Sequence, residues 1–201
     1  MTRRRTASEE LIKKVLGTDY LSLQVARYEM SEEVADGQPC QVRATLRHVD
    51  DPRRLVEIEG EGVGFIDALY HGLMDHYARE FQSLETITFS GFSVKAQMET
   101  AEGAGADAAG LISLVVTNSE AREFVFEESG RSLVAAGIAV VVEAAEYFVN
   151  SERAFISLYT AMQDARERRR SDLVDTYTAQ LAELVKTTSY TKVIDRIRSE
   201  L

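Results

Sequence analysis

A chain of 201 residues, 45% apolar and 28% charged, has the composition of one folded domain with an appendage, and disorder throughout is excluded. Lysine and arginine number 23 against 33 aspartates and glutamates, a net charge of −10, and the one cysteine, Cys40, excludes an internal disulfide and any multi-cysteine metal site. The charge is uneven, +3 over residues 1–16, −14 over 17–150 and +1 over 151–201, and so acidic a body repels phosphate backbones, so no nucleic-acid partner is expected. The longest uninterrupted apolar run, Leu133 to Val142, falls short of the roughly 20 residues that a bilayer requires. The basic start at Arg3 to Arg5 leads into Ser8-Glu9-Glu10 rather than into an apolar stretch. Neither a membrane partner nor a secretory signal is expected, and the expected location is cytoplasmic.

Along the chain, Leu11, Ile12, Val15 and Leu16 predict a short amphipathic helix, which makes residues 1–18 an N-terminal lead. Alternation then takes over. Leu21, Leu23 and Val25 predict one half-buried strand, and Val42, Ala44 and Leu46 a second. Asp50-Asp51-Pro52 supplies a turn before a third strand, Leu55 to Ile58. A glycine turn leads to a helix with Ile66, Leu69, Leu73, Tyr77 and Phe81 on one face and Asp67, His71, Asp75 and Glu80 off it.

The same order returns. Phe92, Val94 and Ala96 alternate, Leu111 to Val116 follows, Asn118-Ser119-Glu120 turns the chain, and Glu123 to Glu127 makes the third strand. A helix from Leu133 to Phe148 is apolar nearly all round until Glu143, so it needs cover on more than one side, with a second subunit as the expected source. Residues 151–201 lack strand patterning. Phe155, Leu158, Tyr159 and Met162 give one helical stripe, Leu173, Val174, Tyr177, Leu181, Leu184 and Val185 another, and Val193, Ile194 and Ile197 a last short one.

Self-comparison at a spacing of 68 places Leu46 on Leu114, Arg54 on Arg122, Val56 on Phe124, Ile58 on Phe126, Gly62 on Gly130, Ile66 on Val134 and Ala68 on Ala136 without a gap. Upstream, Leu21 to Val25 resembles Phe89 to Val94 with a slip of about one residue. The expected fold is therefore α+β: two βββα repeats with pseudo-twofold symmetry over residues 19–150, followed by a helical extension over 151–201.

Chemistry-bearing motifs are sparse. The Gly60 to Gly64 cluster lacks the Lys-Ser/Thr end of a P-loop and the third glycine of a dinucleotide turn. His71, His76 and Asp75 would need further ligands from elsewhere to hold zinc. Asp67 and Asp75 stand eight residues apart on a helix, about 12 Å, too far to share a proton. Cys40 has no basic neighbour in sequence, and Ser129 lacks the Gly-x-Ser-x-Gly frame of a nucleophile elbow. Arg166 to Arg170 reads as a solvated helix face. No catalytic residue, metal or cofactor is expected.

Four segments, in order on the duplicated frame, resemble one known family. Gly62-Val63-Gly64-Phe65-Ile66-Asp67-Ala68 resembles a Gly-x-Gly-Pro-Val-Asp-Ala motif. Phe89-x-x-Phe92-x-Val94-x-Ala96 is similar to a Leu-x-x-Tyr-x-Val-x-Ala strand, Gly105-Ala106-Asp107-Ala108 to a Gly-Thr-Asp-Ala loop, and Ser132 to Ala136 with Glu146-Tyr147 to a last helix. All four belong to the C-terminal regulatory domain of 2-isopropylmalate synthase and citramalate synthase. The resemblance covers about residues 20–150, with Phe65 in place of the proline and Phe92 in place of the tyrosine. It implies a homodimer that binds leucine or isoleucine at the subunit interface and regulates a separate catalytic protein, since no stretch of this chain has the alternation of a catalytic barrel.

Carried over by position, the implied ligand-binding residues are Gly62, Gly64, Ile66, Phe89, Phe92, Ala96, Ala108 and Gly110, with Asp67 or Asp107 to meet the ammonium group. Small residues leave room for a branched side chain, and backbone N–H groups at the glycine turn receive a carboxylate. The alternative expectation is a structural dimerisation scaffold with a vestigial pocket, acting through its C-terminal helices.

Overall fold

A computed structural model describes residues 3–33, 37–96, 109–186 and 190–200. After helix α1 (Arg3–Leu16), strands β1 (Leu23–Ser31), β2 (Cys40–His48) and β3 (Leu55–Gly62) form an antiparallel sheet in that order, followed by α2 (Phe65–Tyr77). Strands β4 (Thr88–Ala96), β5 (Gly110–Thr117) and β6 (Glu123–Gly130) form a second sheet of the same order, followed by α3 (Leu133–Glu167). Helices α4 (Ser171–Leu184) and α5 (Thr191–Glu200) complete the chain. The fold is α+β, built on two βββα units as the sequence predicts.

Pairing corrects the gapless repeat. Arg47 lies opposite Leu55, whereas Thr117 lies opposite Glu123, so the second hairpin is two residues shorter. Cys40, Ala44 and Leu46 therefore correspond to Gly110, Leu114 and Val116, while the third strands and the helices keep the spacing of 68. The first strands correspond differently again. Val25 faces Leu46 and Phe89 faces Val116, and each strand has a bulge immediately after, at Val25/Arg27 and Phe89/Gly91. Leu21, read as the start of a strand, precedes β1.

Alternation fixes the buried faces. Cys40, Val42, Ala44, Leu46 and His48 point inward from β2, and Gly110, Ile112, Leu114 and Val116 from β5. Helix α2 lies close on β3: a Cβ added at Gly60 would come 1.9 Å from the Ala68 carbonyl oxygen, and one at Gly72 would come 2.6 Å from that of Glu59.

Helix α3 is the axis of the molecule. It packs on β5 and β6, and also on α1, α2, α4 and β1, so the apolar surface from Ala136 to Val149 is covered by its own chain rather than by the second subunit the sequence predicts. It does not stop after Phe148 but runs 35 residues, carrying the Phe155, Leu158, Tyr159 and Met162 stripe on the same rod. Residue 150, taken as the end of the duplicated domain, lies in mid-helix. By length and composition α3 is apolar enough to cross a bilayer, and 67% of its most apolar window is buried within the fold. The polar groups that interrupt it each serve a neighbouring segment: Glu146 accepts from the Leu23 N–H, the Ser151 hydroxyl bonds that of Tyr190, and Glu152 accepts from the Ser83 N–H at 2.7 Å. Arg166 lies in the last turn of α3, while Arg168, Arg169 and Arg170 form the turn between α3 and α4, with Arg168 on Asp164 and Arg170 on Asp172.

Candidate functional site

The two units cross. The start of α2 meets the first strand of the second unit, with the Phe65 and Phe92 rings edge-on at 6.4 Å, and the start of α3 meets the first strand of the first unit, where the Tyr28 and Ser132 hydroxyls are 3.5 Å apart. Phe65 also lies over Gly137 of α3, where an added Cβ would come within 2.7 Å of its ring.

The first of these junctions is an open cleft of about 670 Å³, lined by Gly64 to Asp67, Tyr70, Thr88 to Phe92 and Leu114. Its walls are mostly apolar. Tyr70 stacks obliquely on Phe89, with centroids 4.3 Å apart, and its hydroxyl donates to the Ile87 carbonyl at 3.3 Å. Burial, with the Asp67 charge nearby, pushes the Tyr70 phenol above its ordinary pKa. At the bulge, the Ser90 hydroxyl donates to the Val115 carbonyl and also pairs with Thr117.

Among the described residues, no lysine or arginine lines the cleft. What it offers a negative group is the first turn of α2, whose Ncap residue, Gly64, has no side chain to satisfy the leading N–H groups. The corresponding junction differs. There the Ncap is Ser132, whose hydroxyl accepts from the Ala135 N–H at 3.2 Å, and Ala135 stands in the position of Asp67. Of two related helix starts, one is closed by its own side chain and the other opens on the cleft.

Asp67 is already employed. One carboxylate oxygen accepts from the Val63 N–H at 3.0 Å, closing the glycine turn, and the other lies 3.8 Å from Nε2 of His71, whose Nδ1 donates to the Glu61 carbonyl at 2.9 Å.

Of the expected site residues, Gly64, Ile66, Asp67, Phe89 and Phe92 lie together along the cleft. Gly62 lies behind the turn, so close to α2 that a Cβ would meet the Ala68 nitrogen at 2.5 Å. Ala96 and Gly110 face each other at the far end of β4 and β5, away from the cleft, with Gly110 pressed against Leu133. Asp107 and Ala108 lie outside the described residues. Phe65, Tyr70 and Leu114 complete the walls and were not among the expected site residues. The signal for Tyr70 was its place one turn after Ile66 on α2.

Among the described residues no group of three or more histidine, cysteine, aspartate or glutamate side chains is placed to hold a metal ion. No protein-family model matches this sequence, and no curated protein matches it.

Proposed function

We propose that this chain is a non-catalytic regulatory module that binds a small aliphatic amino acid, leucine or isoleucine, in the cleft between α2 and β4, and reports occupancy to a separate catalytic protein. The observation that carries the reading is the contrast between the two helix starts. The start without a side-chain cap opens onto an apolar cleft, whereas the cavity of about 300 Å³ beside Ala135 at the corresponding junction carries Glu128, Glu143 and Glu146. The first site therefore offers backbone N–H groups for a carboxylate beside aromatic and aliphatic walls for a branched side chain.

A homodimer is part of the proposal. Beyond the bulges, Tyr28 and Met30 lie opposite Ala44 and Val42, and Phe92 and Val94 opposite Leu114 and Ile112, so all four belong to inward faces. Yet they are 36% to 46% exposed. Two corresponding apolar pairs on edge strands are what a symmetric partner would cover.

The test is a thermal-unfolding screen of the full chain against free amino acids and 2-oxo acids. Leucine or isoleucine at 100 times its dissociation constant adds about 2.7 kcal/mol, a rise of about 5 °C or more for a chain of this size. Phe89→Ala abolishes that rise. A flat screen with a confirmed dimer would favour the second reading, a dimerisation scaffold, which the engagement of Asp67 and the Phe65–Phe92 contact across the cleft support.

A further inference from the structure

On a different face of the first unit, a separate cavity of about 270 Å³ is walled by the turn at Thr18 to Leu21, the end of β2, the Asp50–Arg54 turn, the end of α2 and the Val149–Arg153 stretch of α3. Three cationic or imidazole side chains line it without a hydrogen-bond partner among the described residues. His48 is 95% buried and lines the cavity; its Nδ1 lies 3.8 Å from Asp50, and its Nε2 has no hydrogen-bond partner among the described residues. Arg54, which is exposed, and Arg153, which is half-buried, line the same cavity, and their guanidinium groups make no ion pair or hydrogen bond among the described residues. Burial and these two positive charges, working against Asp50 and Asp51, keep the imidazole below its usual pKa and therefore neutral near pH 7.

A neutral imidazole donates one hydrogen bond, and a guanidinium presents a fork of donors, so the three together offer what a compact group of negatively charged oxygens accepts. The carboxylates on the wall limit the ligand. Glu80 has a partner of its own, while Asp19 and Asp50 are exposed lining residues that offset the two arginines. That balance admits one anionic head on a neutral or cationic body and repels a polyanion.

We propose that this cavity is a second ligand site, which takes a small molecule through a single oxyanion head held between Arg54 and Arg153 above His48. A phosphate and a carboxylate present the same chemistry here, so both are tried. The full chain is titrated with inorganic phosphate and separately with acetate, ionic strength being matched with sodium chloride, while the unfolding midpoint and the three histidine ring signals are followed by NMR. The expected result is a saturable rise with at least one anion, with the His48 and His76 signals moving and His71, on the cleft side, serving as the internal reference. Arg153→Gln and Arg54→Gln each lose the rise, and Arg43→Gln, an exposed arginine paired with Glu59 on the outer face of the first sheet, retains it. No rise beyond the chloride control with either anion, or an undiminished rise in both cavity variants, overturns the proposal.

Discussion

The side chain of Asn150 pairs with both backbone groups of Leu21: Oδ1 accepts the Leu21 N–H at 2.7 Å and Nδ2 donates to the Leu21 carbonyl at 2.7 Å. Asn150 is fully buried, so α3 holds the entry to the first strand as a neighbouring strand would. Asn150→Ala leaves a donor and an acceptor unpaired, at a cost of about 1–3 kcal/mol each. Urea unfolding is expected to show a loss of about 3 kcal/mol with an unchanged m value.

Glu146, one turn earlier, gives a pH dependence of known sign. Burial, reinforced by Glu143 and opposed by the Leu23 N–H, raises its pKa from 4.5 to about 7. The folded chain therefore binds this proton more tightly than the unfolded chain. The contribution to stability is complete below about pH 4.5, declines through pH 5–7, and stays lost above that, a change of about 3 kcal/mol. Glu146→Gln keeps an acceptor for Leu23. The difference in unfolding free energy between variant and parent should grow from pH 5 to pH 8, in favour of the variant; a constant difference would contradict the assignment.

The packing of α2 on β3 tolerates no side chain at Gly60. Gly60→Ala would place a carbon against a backbone carbonyl, which cannot move without shifting the helix. The expected loss is about 3 kcal/mol, and because the helix start frames the cleft, amino-acid binding should weaken with it. Gly64→Ala, where an added Cβ meets nothing within 4 Å, is the matched control for stability.

Cys40 is fully buried opposite Gly62, and burial together with Glu32 raises its thiol pKa. Alkylation of the native protein should be slow and should accelerate in step with unfolding as urea is added. Rapid labelling in buffer would show that β2 opens locally.

Periodicity located the strands and helices well, and it failed where contacts between segments distant in the chain decide. Side chains alternate with period two along a strand, so shifting β2 against β5 by two residues leaves every inward residue inward. Leu46 matches Leu114 as plausibly as Val116, and only the pairing of Arg47 with Leu55 and of Thr117 with Glu123 decides. The helix read as Leu133 to Phe148 runs on to Glu167, and the Glu146 and Glu152 carboxylates along it are retained by backbone N–H groups from other segments, which no local pattern reveals. The cleft was legible where its residues lie within short motifs, at Gly64 to Asp67 and Phe89 to Phe92. The cavity at His48 was not, because Arg54 and Arg153 are far apart in the chain. Its one local signal was a histidine at the inward position that continues Val42, Ala44 and Leu46.

Helix α3, rising about 1.5 Å per residue, is a rod of roughly 50 Å whose first half belongs to the paired sheets and whose second half anchors α4. Cutting the chain at residue 150 would therefore not trim a tail but saw through a beam. The stump would lose the cover of Phe155, Leu158 and Met162 while the sheets lost their support. A change where α2 and β4 meet would reach this rod at Gly137, against which Phe65 packs, while α4 rests on its other half.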